Sequence, residues 1–257
     1  MRISGTALVT GASAGIGAEY ARQLARRGCD VILVARRADR LEALAHEIGT
    51  ETGRKATVIA ADLADPQGVR SLLDHLTAPP DMLVNNAGRG TYGAAIETST
   101  ETVLGMVRLN LEALTVLSLE LGRKMAARGS GCILNVASTV GYQPLPYFAV
   151  YAATKAYVVS FSEALAAELH PKGVKVFTVS PGATKSEFGE VAGLPAGFAS
   201  FGVPAATLVR RSLDACERQV WGDSYIDGAL NQIGAVVSQL TPSFLLTHFT
   251  AGLLRPR

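Results

Sequence analysis

Tyr151 and Lys155 stand four positions apart in the segment Tyr-Ala-Ala-Thr-Lys. On a helix that spacing puts a phenol and an ammonium on one face. A phenol with a pKa of about 10 is a poor acid–base group at neutral pH. A cation beside it favours the phenolate and brings proton exchange with an alcohol or carbonyl oxygen within reach. Alone, the pair is a common and usually structural motif. Thirteen residues before Tyr151, Ser138 follows the apolar run Cys-Ile-Leu-Asn-Val-Ala. If that run is a strand, Ser138 lies at its carboxyl end, where open α/β sheets bind ligands. Its hydroxyl can then hydrogen-bond a substrate oxygen, although a serine capping a turn would read the same way.

A second constellation lies near the N-terminus. Ala-Leu-Val-Thr-Gly-Ala-Ser-Ala-Gly-Ile-Gly places Gly11, Gly15 and Gly17 between a short apolar run and a helical pattern. Glycine there allows a tight turn and lets backbone N–H groups approach a pyrophosphate at the helix N-terminus. The spacing is G-x-x-x-G-x-G rather than G-x-G-x-x-G, and a bare strand–helix connection also uses glycine. Its place after the first strand points to nucleotide binding. Ser13, Ala14 and Ile16 fill the turn and join the three glycines as candidate cofactor contacts. At the end of the second strand an Asp or Glu would accept from the 2′-hydroxyl of NAD. This chain has Ala35, Arg36 and Arg37. Guanidinium suits a phosphate dianion, which favours NADP (NADPH), unless an arginine merely opens a solvated helix.

The elements that must position these groups follow from hydrophobic periodicity. Strands are expected at Thr6–Thr10, Asp30–Ala35, Ala56–Ala60, Met82–Asn85, Cys132–Ala137, Lys175–Ser180 and Ser224–Ile226. Most are continuously apolar, as strands covered on both faces should be. Helical patterns lie between them at Ile16–Arg27, Arg37–Glu47, Pro66–Leu76, Glu97–Ala127, Val150–Leu169 and Pro204–Gln219. Strand–helix alternation with right-handed crossovers predicts an α/β fold, a single Rossmann-type doubly wound parallel sheet of about seven strands with helices on both faces. No Pro/Ser-rich linker, charge run or repeat divides residues 1–257, so one domain is expected.

Composition narrows the function. With 48% hydrophobic and 18% charged residues the chain can bury a large core, which excludes disorder as its main state. The 24 Lys+Arg against 22 Asp+Glu are scattered and near balance, unlike a dedicated nucleic-acid binder. Cys29, Cys132 and Cys216 make an odd count without a C-x-x-C pair, and are read as buried small hydrophobes. His46, His75, His170 and His248 have no metal-ligand spacing, and His170 before Pro171 reads as a helix end. A glycine turn from Gly11 leaves no room for a signal peptide, and no 18 consecutive residues are apolar, so a cytoplasmic protein is expected.

In order along the chain, these motifs resemble the short-chain dehydrogenase/reductase family over essentially its whole length. Thr10–Gly17 is similar to its T-G-x-x-x-G-x-G turn, and Pro181-Gly182 to its P-G motif. The resemblance implies that Asp62, followed by Leu63, contacts adenine, and that Asn86, Ala87 and Gly88 of an N-N-A-G segment lie beside the cofactor. Thr184 and Ser186 stand where many relatives continue P-G-x-V-x-T to meet the carboxamide. Ala14 stands where some NADP-dependent relatives carry a basic residue, so cofactor preference rests on Arg36 and Arg37. The implied catalytic set is Asn110, Ser138, Tyr151 and Lys155. Tyr151 would exchange a proton with the substrate oxygen and Ser138 would polarise it. Lys155 would lower the tyrosine pKa and hold the nicotinamide ribose, and Asn110 would hold a relay water. Hydride would pass between NADP(H) and a carbonyl or secondary alcohol, in a homodimer or homotetramer.

The implied substrate lid, residues 184–202, carries Phe188, Leu194, Phe198 and Phe201, which either greet a hydrophobic substrate or pack the lid shut. The loop Tyr142–Phe148 is a second expected pocket wall. The apolar tail, residues 228–257, covers the pocket, packs a subunit or touches a membrane, and its basic residues stand only at the extreme end. Two further readings remain open. One is a 3-ketoacyl thioester reductase, for which Arg123, Lys124 and Arg128 would dock a carrier protein unless they are a solvated helix end. The other is a non-catalytic NADP-sensing regulator, which would usually have lost the tyrosine or lysine.

Overall fold

Seven apolar strands need cover on both sides, and the fold supplies it. The computed structural model describes residues 3–195, 202–218 and 223–255, so Phe198, Phe201, Gln219, Pro256 and Arg257 lie outside the described residues. The first half runs β1 (Thr6–Thr10), α1 (Gly15–Arg26), β2 (Asp30–Ala35), α2 (Ala38–Thr52), β3 (Ala56–Ala60), α3 (Pro66–His75) and β4 (Met82–Asn85). Then come α4 (Thr100–Val107), a π-helical segment (Arg108–Ala113), α5 (Leu114–Arg128), β5 (Gly131–Val136), α6 (Ala149–Leu169) and β6 (Val174–Ser180). The last part holds β7 (Thr184–Lys185), α7 (Phe188–Val191), β8 (Val203–Pro204), α8 (Ala205–Arg218), β9 (Ser224–Ile226), α9 (Ala229–Leu240) and α10 (Ser243–Leu254).

The main sheet has the order β3-β2-β1-β4-β5-β6-β9, and every pairing in it is parallel. Alternate residues serve opposite faces. Val9, Leu33, Val84 and Leu134 pack under α1, α2 and α8 with Tyr20, Leu24, Leu44 and Leu213. Their neighbours Leu8, Val34, Leu83 and Ile133 pack under α3, α5 and α6 with Leu72, Leu121 and Leu165. Burial of the largest of these side chains contributes roughly 1.5–3 kcal/mol each. Two asparagines inside the sheet are paired, whereas the buried Thr178 Oγ1 of β6 has no partner among the described residues. Asn85 Nδ2 donates to Ser118 Oγ at 3.0 Å and to Asn135 Oδ1 at 2.9 Å, and Asn135 Nδ2 donates to Ser162 Oγ at 2.9 Å. This chain of bonds ties β4 and β5 to α5 and α6. Cys29, Cys132 and Cys216 are buried free thiols.

All seven expected strands are present, displaced at most by one residue. The expected helix over Glu97–Ala127 instead begins at Thr100, capped by Ser99 Oγ accepting from Thr102 N, and is interrupted by the π turn. A single extra residue in a turn leaves the apolar spacing almost unchanged, so periodicity could not reveal it. Thr100–Arg128 is long and apolar enough to cross a bilayer by length and composition, but Leu117, Leu121 and Met125 bury its inner face against the sheet. The tail forms the two helices α9 and α10, which the sequence reading did not place. Their outer faces leave Leu230, Leu240, Phe244, Phe249 and Leu253 exposed.

Candidate active site

The strand order reverses between β1 and β4, and the crevice beyond their carboxyl ends is where such sheets take ligands. Thr10 closes β1 and anchors the next strand's exit. Its Oγ1 accepts from Asn86 N and Ala87 N, each at 3.0 Å, and donates to Val84 O at 3.2 Å. Asn86 Nδ2 returns a bond to Thr10 O at 2.9 Å. The glycine turn is thereby pinned to the Asn85–Gly88 segment. Gly11 and Gly15 have φ of 68° and 55°, the left-handed region that glycine enters without strain. Gly17 allows close packing, because a Cβ there would stand 2.2 Å from Gly11 O. Ala14 precedes α1 in extended conformation, and no side chain caps that helix. The first amides of α1 thus keep their hydrogen-bonding capacity for an anion.

Two cavities meet beneath this turn. One, of about 380 Å³, is bordered by Gly11, Ser13, Ala14, Gly15 and Ile16, by Arg36 and Arg37, by Asp62 and Leu63, and by Asn86, Ala87 and Gly88. The other, of about 300 Å³, is bordered by Ser138, Tyr151, Lys155, Pro181, Gly182 and Thr184. Ile16, Asn86, Gly88, Ser186 and Phe188 border both. An elongated molecule with phosphates at one end and a reacting group at the other fits that outline. Among the expected site residues, Gly17 and Asn110 border neither cavity and act from behind the lining. The two arginines differ. Arg37 donates through Nε and Nη2 to Ser13 Oγ, both at 3.2 Å, whereas Arg36 is 69% exposed and 3.9 Å from Asp62.

Helix α6 presents Tyr151 and Lys155 on one face, as their spacing requires, and both are buried. The Tyr151 ring lies between Phe188 and Phe148, with centroids 5.1 and 6.2 Å away. Lys155 Nζ sits 5.8 Å from the centre of that ring and donates to Val136 O at 2.7 Å. Ser138 opens a short 3₁₀ turn (Thr139–Tyr142), with Oγ accepting from Val140 N at 3.4 Å. Burial pushes the Tyr151 phenol well above its ordinary value, opposed by its hydrogen bond with Ser138. Desolvation likewise lowers Lys155 to about 8. Each charged form loses more water than its neighbours replace.

The lysine shift sets a pH dependence of stability. Between pH 8 and the ordinary lysine value of 10.5 the unfolded chain holds a proton that the folded chain has released. Stability contributed by this group therefore rises across that window, by up to about 3 kcal/mol, and the cost of the buried charge is fully present below it. Lys155→Met loses the bond to Val136 O as a constant offset. The melting temperature of the wild type relative to this variant is expected to climb from pH 8 to 10, as thermal melts at stepped pH would read. A difference independent of pH would refute the depressed value.

Asn110 lies in the π turn, a feature that often marks functional sites. Its Nδ2 donates to Arg89 O at 2.9 Å and to Thr154 Oγ1 at 3.0 Å, and its Oδ1 accepts from Arg89 N at 3.0 Å. Both amide protons are used, which leaves one lone pair on Oδ1. Gly88 stands between that oxygen and Lys155 Nζ, since a Cβ on it would lie 3.3 Å from the first and 3.6 Å from the second.

Several lining residues were not singled out from the sequence. Arg89 borders the first cavity and Leu254 the second. Tyr92 donates its hydroxyl to Leu254 O at 2.7 Å and so holds the end of α10 over the pocket. Leu145 and Phe148 confirm the Tyr142–Phe148 loop as a wall, and Phe188 and Leu194 come from the segment after Pro181-Gly182. Glu187, which reaches Arg37 from that segment, carried no local signal.

Residues 5–193 match the family model described as short chain dehydrogenase. A putative ketoacyl reductase of Streptomyces coelicolor is 38% identical over 184 residues, which are 70% of this chain and 70% of that one. Several longer curated relatives are matched over about three fifths of their own length. Among solved structures, a short-chain dehydrogenase from Sphingobium yanoikuyae in complex with NADPH is 33% identical, with a TM-score of 0.83 over 91% of this chain and 92% of that one. The bulky-bulky ketone specific alcohol dehydrogenase of Comamonas testosteroni is 34% identical, with a TM-score of 0.78 over 91% and 92% of the two chains.

Proposed function

The chain belongs to the short-chain dehydrogenase/reductase family, oxidoreductases of CH–OH and carbonyl groups that use a nicotinamide cofactor, and from that premise we propose an NADP(H)-dependent reductase of hydrophobic ketones. The observation that carries this reading is the second cavity. Ser138, Tyr151 and Lys155 share it with Leu145, Phe148, Phe188, Leu194 and Leu254. A ketone with apolar flanks fits such walls and meets polar groups only at its oxygen.

The glycine turn and the α1 amides would hold the pyrophosphate, Asp62 and Leu63 the adenine side, and Arg37 the 2′-phosphate. When bound, the cofactor supplies or takes the hydride at the substrate carbon. Tyr151 Oη gives its proton to the carbonyl oxygen in reduction and takes one from the hydroxyl in oxidation. Ser138 donates a hydrogen bond to the same oxygen and holds it against Tyr151. Lys155 spends one N–H on Val136 O, which leaves two for the ribose hydroxyls, and its charge stabilises the phenolate left after proton transfer. The free lone pair of Asn110 Oδ1, beside Gly88, can hold a water through which the proton is replaced. The segment from Glu187 to Leu194 closes the pocket as a lid.

Purified protein assayed with NADPH and NADH against bulky cyclic and aryl ketones, ketoacyl thioesters and small hydroxy acids tests the proposal. Turnover is expected with bulky ketones, with kcat/KM about tenfold or more higher for NADPH, the worth of a charge-assisted bond to the phosphate. A clear preference for NADH would sink the cofactor reading. The likeness to a putative ketoacyl reductase favours a ketoacyl thioester as second substrate class. Carrier docking at Arg123 and Arg128 gains little support, because Arg123 pairs with Glu120 and Arg128 with Asp81. NADPH binding without turnover of any carbonyl would favour the regulator.

A further inference from the structure

Arg37 is already occupied by an anion from far along the chain. Glu187 Oε2 accepts from Nη1 and Nη2 of Arg37, both at 3.1 Å, and Glu187 Oε1 accepts from Arg40 Nη1 at 2.6 Å. The same guanidinium reaches Ser13 in the phosphate-binding turn, and Ser13, Arg37 and Glu187 border one cavity. Side chains of all three members of the ion cluster are between 42% and 45% exposed, so the carboxylate can move aside without unpacking a core. A carboxylate that bridges two guanidinium groups takes up charged donors that a phosphate would use.

The geometry points to Glu187 as the residue that sets discrimination at the adenosine 2′ position. This inference rests on the proposed binding of a nicotinamide dinucleotide with its 2′ group at Arg37. A 2′-phosphate needs the donors that Glu187 holds, and it arrives beside a like charge. It binds only by displacing the carboxylate from Arg37 and Arg40. A 2′-hydroxyl makes no such demand and can donate to the carboxylate where it stands, as it does to the acidic residue of NAD-binding sheets. Glu187 therefore weakens the phosphate-bearing cofactor and leaves, or slightly favours, the one without it. The second strand, which lacks an acid after Ala35, has its missing carboxylate supplied from the other side of the crevice.

Isothermal titration of the full chain and of Glu187→Gln with 2′,5′-ADP, 5′-AMP, NADPH and NADH tests this directly. The variant is expected to bind 2′,5′-ADP and NADPH about three- to tenfold more tightly, the size of one half-exposed ionic contact, and 5′-AMP and NADH no more tightly. If the wild type prefers 2′,5′-ADP over 5′-AMP and the variant has the same constants, Glu187 has no such role while the NADP reading stands. If neither protein distinguishes the two fragments, both fail.

Discussion

Tyr151→Phe is expected to lower kcat/KM for ketone reduction by about 10³-fold or more, the upper part of what a positioned general acid contributes. The substitution removes one oxygen and keeps the ring, so the packing against Phe148 and Phe188 is retained. Among the described residues that line the second cavity, no other carries a phenol. Ser138 has the reach but not the acidity, and Lys155 is turned toward Val136 O. Burial raises the Tyr151 pKa, which favours the protonated phenol that donates in reduction. NADPH affinity, measured by fluorescence titration, should change less than about threefold, because the phosphate and adenine contacts lie in the other cavity. Turnover within tenfold of wild type would remove Tyr151 from the mechanism.

Gly17→Ala should be strongly damaging, because it strikes the phosphate-binding turn itself. Its Cβ would stand 2.2 Å from Gly11 O, 2.5 Å from Asn86 Nδ2 and 2.7 Å from Gly11 C. Two of those atoms are backbone, held by the Thr10–Asn86 bonds, so the turn must rebuild or α1 must withdraw. A loss of roughly 2–4 kcal/mol in stability is expected, with NADPH affinity falling at least about a hundredfold as the phosphate amides are displaced. Gly49→Ala is the control. It lies within α2 with nothing inside 4 Å of the added Cβ, and should be neutral or stabilising by up to about 1 kcal/mol. Thermal melts with and without NADPH compare the two. Equal behaviour of both variants would refute steric control at the turn.

The Arg36–Arg37 pair marks where legibility ended. Sequence placed both at the end of the second strand, and both border the cavity, but it could not say which one is engaged there by other side chains. Ser13 and Glu187, one before and one far after, decide for Arg37. Asn110 was legible as a family position, whereas the π turn that aims it was not. The tail was legible as apolar, yet that its end covers the pocket is shown by Leu254 in the cavity lining and by the bond from Tyr92 to Leu254 O.

The sequence by itself determined whatever depends on neighbours along the chain. Helical spacing set Tyr151 and Lys155 on one face, glycine conformational freedom set the phosphate turn, and continuous apolar runs set seven strands buried on both sides. Tertiary structure alone decided the direction of the Tyr151 and Lys155 shifts, the engagement of Arg37 by Glu187, and the closing of the cavity by Phe188 and Leu254. The reason is physical. Torsions and periodicity are local, but desolvation, charge and enclosure are sums over atoms that folding brings together from 150 or more residues apart.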